Sequence, residues 1–204
     1  MTKVNEASNY TTSLTGEPFL FNETRQMAGL LASGEDINSL KKRNLAENLI
    51  MHKKSGSLKR VTTPIFRRLS VMSPTAVKLL STEDLESAKL ILLVSIAKTD
   101  RLVGDFLNDV YAEKIALKAS KITKSDIERY FESIYQEEPF LRDRTEQTKA
   151  KLKQQLMKII SEAGLVKKIG SDFEVTRPSL TNKLSNQLIA DGDARYIKML
   201  GGSS

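Results

Sequence analysis

HKKSGSLKRVTTPIFRRLSVM, residues 52–72, is the stretch on which the organisation of this chain turns. At about 100° per residue from Leu58, Val61, Ile65 and Leu69 share one stripe with Phe66 at its edge. Lys59, Arg60, Thr63 and Arg67 lie on the opposite side. Such a helix packs its stripe on a small domain and turns a cationic, hydroxyl-bearing face outward, which suits a polyanion. The same face equally suits a solvated helix whose charges serve solubility. Pro64 removes one helical hydrogen bond, so the sequence admits one bent helix over residues 57–72 or two pieces meeting after Thr63.

Upstream, residues 1–13 are polar and aperiodic, as expected of a mobile terminus. LTGEPFLF, residues 14–21, brings turn-prone Gly16 and Pro18 followed by the apolar anchor Phe19, Leu20 and Phe21. Asn22 is the N-cap candidate for a helix through Met27, Leu30 and Leu31 that ends near Ser33-Gly34. Glu35 and Asp36 open a second helix with Ile37, Leu40 and Leu45 inward. Three helices with a glycine turn between the first two follow a helix-turn-helix plan, an outline that many units share without touching DNA. Charge placement strengthens it. Residues 37–70 hold nine cations (Lys41, Lys42, Arg43, Lys53, Lys54, Lys59, Arg60, Arg67 and Arg68) against the single acid Glu47, a balance of +8 where the whole chain carries +7. The remainder is near neutral, so the basicity is local, as an electrostatic footprint requires.

Downstream, Ser81-Thr82-Glu83-Asp84 reads as a capped helix start before Leu85, Ala88, Leu92 and Ile96. The apolar run LILLVSIA, residues 90–97, fills the other faces and is far short of the roughly 18 residues of a membrane span. A second helix carries Leu102, Val103, Phe106, Leu107, Val110 and Tyr111, with Asp100, Asp105, Asp109 and Glu113 read as a solvated face rather than a metal or acid–base site. Ser125-Asp126-Ile127-Glu128 has the form of a capping box opening a helix with Tyr130, Phe131 and Ile134. A long helix over residues 145–163 buries Leu152, Leu156, Ile159, Ile160 and Ala163 and ends at Gly164. Two strand-like pieces, residues 165–169 and 173–176, follow around Gly170-Ser171-Asp172. A helix followed by a hairpin bearing Lys167 and Lys168 resembles a winged helix; a plain hairpin closing a core is the alternative. Residues 181–189 and 193–200 read as terminal helices and 201–204 as a loose end.

The expected fold is all-α, a compact globular helical protein of 204 residues with an N-terminal helix-turn-helix-like unit (1–80), a central buried helical pair (81–120) and a C-terminal winged-helix-like unit (121–204) carrying one short β-hairpin. A pI near 9.5 leans towards a polyanionic partner. No cysteine and one histidine, His52, exclude thiolate chemistry and leave little for a His-based site. GxxxxGK[ST], GxGxxG and HExxH are absent, so the sequence reads as non-enzymatic, without cofactor or metal. Lack of a secretory signal leads to the expectation of a cytoplasmic protein.

LTGEPFLFNETRQMAGLL (14–31), AKTDRLVGDFLNDVYAEK (97–114), SDIERYFE (125–132), TKAKLKQQLMKIISEAGLV (148–166) and DGDARYIKML (191–200) together resemble the BrxA family of bacteriophage exclusion (BREX) defence systems, in the same order over most of the chain. The resemblance implies a small, helical, DNA-binding protein with helix-turn-helix elements, working beside a methyltransferase and ATPases that mark host DNA and block phage replication. Double-stranded DNA is then the expected ligand and other BREX proteins the further partners, with a monomer expected. The candidate contacts are Lys53, Lys54, Lys59, Arg60, Thr62, Thr63, Arg67 and Arg68, with Lys151, Lys153, Lys158, Lys167 and Lys168 as a second basic surface. Phosphate contacts of this kind carry no base identity. Two alternatives stay open: an RNA binder of antitermination type, and a basic adaptor that docks onto other defence proteins.

Overall fold

A computed structural model describes residues 9–202 of the chain. The helices Phe21–Ala32 (α1), Ile37–Glu47 (α2), Leu58–Ser70 (α3) and Pro74–Thr82 (α4) form the N-terminal part. Leu85–Thr99 (α5) follows, then Arg101–Phe106 (α6), a π-helical turn over Leu107–Tyr111 and Ala112–Ala116 (α7). The rest comprises Lys121–Ile122 (β1), Lys124–Glu137 (α8), Pro139–Arg142 (α9), Glu146–Glu162 (α10), Val166–Ile169 (β2), Asp172–Val175 (β3), Asn182–Ala190 (α11) and Arg195–Met199 (α12).

The mostly helical architecture expected from the sequence is what the chain adopts, with α5 at its centre. Residues 90–98 are all buried, and α5 packs on α1, α3, α4, α6 and α10. Its continuous burial is why its apolar residues show no single face. One hydrophobic cluster runs from Tyr10 to Leu200, so the parts share a core.

Of the two alternatives at Pro64 the chain takes the single helix: α3 is continuous through it, and Pro64 has no N–H to donate to the carbonyl of Arg60, an exposed residue. Several other local expectations are corrected. α4 went unread in the sequence, although Ser73 caps it at Ala76 N and Pro74 occupies its first turn. The capped start read at residues 81–84 is present, with Asp84 as the cap of α5, accepting from Ser87 N at 3.0 Å. Leu20, rather than Asn22, precedes α1, in a left-handed conformation. The capping box of α8 is Thr123 with Asp126, which places the helix start ahead of Ser125. The hairpin has a third strand, since β1 pairs antiparallel with β3 to give the order β1-β3-β2.

The termini also differ. Residues 1–8, 203 and 204 lie outside the described residues. Tyr10 is buried and donates from its hydroxyl to Asp105 at 2.5 Å, beneath the Arg101 guanidinium. Gly201 and Gly202 are tucked in, with Gly202 N donating to Ile197 O at 2.8 Å. A buried Lys98–Asp193 pair at 2.6 Å fastens the C-terminal helices to α5.

Candidate nucleic-acid interface

The basic loop and helix at residues 48–63 are built from the core outward. α3 buries Leu58, Val61, Ile65, Phe66 and Leu69 and leaves Lys59, Arg60, Thr63 and Ser70 exposed. The loop before it is braced at each turn. Asn44, buried in α2, accepts from Ile50 N at 3.2 Å. Asn48 accepts from His52 N at 2.8 Å and donates to His52 O at 2.9 Å, while Gln26 donates to Leu49 O at 2.9 Å. Ser57 gives its proton to Lys54 O, so the 2.7 Å contact of its Oγ with His52 Nε2 has the imidazole donating.

Lys53, Lys54, Lys59 and Arg60 stand exposed on this frame, and none has a carboxylate within ion-pair reach among the described residues. Thr63 is exposed beside them, its hydroxyl bonded back to Lys59 O at 2.8 Å.

Three candidates on α3 have other roles. Thr62 is fully buried and accepts from Asn44 Nδ2 at 2.9 Å, so it cannot donate to a phosphate. Arg68 is fully buried, donating from Nη1 to Phe19 O at 2.8 Å, and burial holds its pKa down at about 10. Its Nε and Nη2 have no hydrogen-bond partner among the described residues. Arg67 is half-buried and grips both carboxylate oxygens of Glu17, one at 3.1 Å. The Glu17 carbonyl in turn accepts from Gln155 of α10 at 3.4 Å, so Arg67 helps hold α3 to the C-terminal half. The helical period carried this signal: Thr62 and Arg68 fall about 40° and 80° from Leu58, inside the apolar arc.

The second basic surface is closer to neutral. Lys153 pairs with Glu128, Lys158 lies 3.8 Å from Glu162, and Lys167 sits opposite Glu174 across the β2–β3 ladder, with Lys121 on the other side of the same glutamate. Lys151 and Lys168 are exposed, with no carboxylate within ion-pair reach among the described residues. Between α8, α10 and the hairpin runs a groove of about 530 Å³ with Ile127, Met157 and Phe173 in its lining and Lys124, Lys153 and Lys168 at its rim.

The acids of the α5–α7 segment do not form one solvated face. Asp100 is buried and caps Val103 N at 3.4 Å. Its pKa is pushed up to about 6, chiefly by burial and also by the nearby Glu17 charge. Asp105 is half-buried between Tyr10 and Arg101, while Asp109 and Glu113 are exposed. Among the described residues, no group of three or more His, Cys, Asp or Glu side chains is placed to hold a metal ion. No described helix is long and apolar enough to cross a membrane.

A family model described as BrxA matches residues 8–192. The chain is similar to the BREX protein BrxA of Bacillus cereus (strain H3081.97), with 30% identity over 193 residues that cover 95% of this chain and 96% of that one. It is also similar to the crystal structure of an uncharacterized protein from Magnetospirillum magneticum, at TM-score 0.78 and 19% identity, over 94% of this chain and 97% of that chain. At that identity the likeness speaks to the fold alone.

Proposed function

The chain belongs to the BrxA family, and from that premise we propose that it serves a BREX phage-defence system as a non-catalytic double-stranded DNA-binding component. One observation carries the reading. Lys53, Lys54, Lys59 and Arg60 stand exposed and free of carboxylates on a braced loop and the helix it leads into. Cations already neutralised by neighbouring acids gain little from a phosphate, whereas unpaired ones release counterions in full. This patch therefore supplies the main grip.

The C-terminal half adds a second supporting feature. The order helix (α6–α7), β1, α8, α9, α10 and the β2–β3 hairpin, with β1 paired to β3, supports a winged-helix reading, in which α10 would take the recognition-helix position and the hairpin the wing. On this reading Lys151 and Lys168 make the auxiliary contacts.

The test is duplex binding by gel shift for the wild type, for a variant with Lys53, Lys54, Lys59 and Arg60 changed to Glu, and for one with Lys151 and Lys168 changed to Glu. The first variant loses binding and the second keeps most of it. Equal loss in both, or none in either, contradicts the assignment.

A second reading, docking onto an acidic protein, is favoured by the groove beside α10. Its apolar lining of Ile127, Met157 and Phe173 offers nothing to a phosphate, and beside the paired Glu128 and Glu162 the exposed Lys124 and Lys168 suit acidic flanks. Co-purification of a partner that survives nuclease and is lost on changing the exposed Lys124 and Lys168 to Glu supports this role; capture lost on nuclease treatment assigns it to DNA.

A further inference from the structure

Met51 is the most exposed large hydrophobic residue among the described residues, at 85%, ahead of Leu117 at 68%. Its exposure is not that of a slack loop. Met51 N donates to Asn48 O at 2.8 Å, Ile50 before it is buried, and His52 after it is clamped at both backbone groups by Asn48. The side chain is held out from a fixed base. Its backbone is left-handed, with φ at 52°, a conformation that costs a non-glycine residue about 1–2 kcal/mol. Asparagine tolerates that conformation best after glycine, and Asn48 uses it at φ 54° in the same loop. At position 51 the chain instead accepts both the strain and the full exposure of a long apolar side chain.

The surroundings identify what such a tip meets. Lys53, Lys54, Lys59 and Arg60 lie within nine residues of it along the chain, and all are exposed. An exposed apolar tip close in sequence to several phosphate-binding cations fits the way proteins pry apart a base step from the minor groove. We infer that Met51 enters a duplex as a wedge, partly unstacking one base step and kinking the DNA, while the cations that follow it in the chain grip neighbouring phosphates. This rests on the duplex-binding reading above. Methionine, long and unbranched, suits the narrow gap between base pairs. The wedge also gives the protein a way to discriminate without reading base edges: TA and CA/TG steps open most readily, and stiff A-tracts least.

The experiment uses the full chain and a duplex with one central TA step, carrying 2-aminopurine beside the step and a fluorophore pair on its ends. Wild type binds, raises the 2-aminopurine emission and brings the ends together, as a kink of about 20–90° would. It favours the TA duplex over an A-tract duplex by roughly tenfold. Met51→Ala still binds, with an unchanged salt dependence, but loses the emission rise, the end-to-end approach and the step preference; Met51→Leu restores them. Because the side chain packs on nothing, neither variant threatens the fold. If Met51→Ala binds, unstacks and bends as wild type does, or weakens binding with no change in bend, the wedge is overturned and duplex binding stands. If wild type binds neither duplex at low salt, both are overturned.

Discussion

Asn44 and Thr62 share a buried 2.9 Å hydrogen bond, Nδ2 of the first to Oγ1 of the second, which locks α2 against α3 directly beneath the basic surface. It makes Thr62 a structural residue and leaves its neighbour Thr63 to the outside. Thr62→Val strands the buried Asn44 amide and is expected to cost about 1–3 kcal/mol of stability. Thr63→Val stays within about 0.5 kcal/mol. Urea unfolding of the two variants checks the contrast; equal losses would contradict it.

Arg68 is the counterpart on the other flank of the stripe. A buried cation with two unpartnered nitrogens is a poor stabiliser, and replacing such a group by an apolar one of similar volume is often neutral or favourable. Arg68→Met is expected to hold or raise the melting temperature and leave DNA affinity unchanged. Arg60→Met, on the exposed arc, weakens binding with no change in melting temperature. Affinity titrations that reverse this order would return Arg68 to the interface.

Asp100 gives stability a pH dependence of defined sign. Its folded pKa of about 6 lies above the ordinary 3.8, so the native state holds the proton more tightly than the unfolded chain. Ionisation therefore costs stability as pH rises from about 4 to 6, and the cost is complete above that. Asp100→Asn keeps a capping oxygen and removes the charge. It should be more stable than wild type at pH 7, by an amount on the order of 2–3 kcal/mol and with a higher melting temperature, and the gap should close towards pH 4. A gap that does not change with pH would contradict the assignment.

Two glycines separate backbone strain from crowding. Gly164 has φ at 89° and open space where a Cβ would sit. Gly201 has φ at 83°, and its Cβ would meet Ile115 Cγ2 at 2.8 Å. Gly164→Ala should cost about 1 kcal/mol and Gly201→Ala more, towards 3 kcal/mol, because only the second adds a clash. Thermal unfolding of the pair reads the difference directly.

Much of this was legible in the sequence, and what was not has identifiable causes. LILLVSIA marks the central helix because eight residues with Ser95 as their single polar member have nowhere to go but the core. The helix of residues 146–162 and its glycine stop were plain from period and cap. The site was legible in place but not in membership. Residue type alone offers Thr62 and Arg68 as contacts, although their angular positions put them on the buried arc. Ion pairing across elements, such as Lys153 with Glu128 or Arg67 with Glu17, leaves no local signature, so the second basic surface looked stronger than it is. β1 is two residues long and pairs with a strand some fifty residues away, too short to show a period. Met51 carried no signal at all, because only the folded loop shows that it is held out.

The salt dependence of duplex binding tests the central claim most directly. Anisotropy titrations of a mixed-sequence duplex across rising salt should give a straight line of log affinity against log salt. Four phosphate contacts, from Lys53, Lys54, Lys59 and Arg60, correspond to a slope of about −3.6, made steeper by any contribution from α10 and the hairpin. Changing Lys53 alone to Ala should reduce the slope by about one. A flat response, or no duplex binding at low salt, would contradict the account.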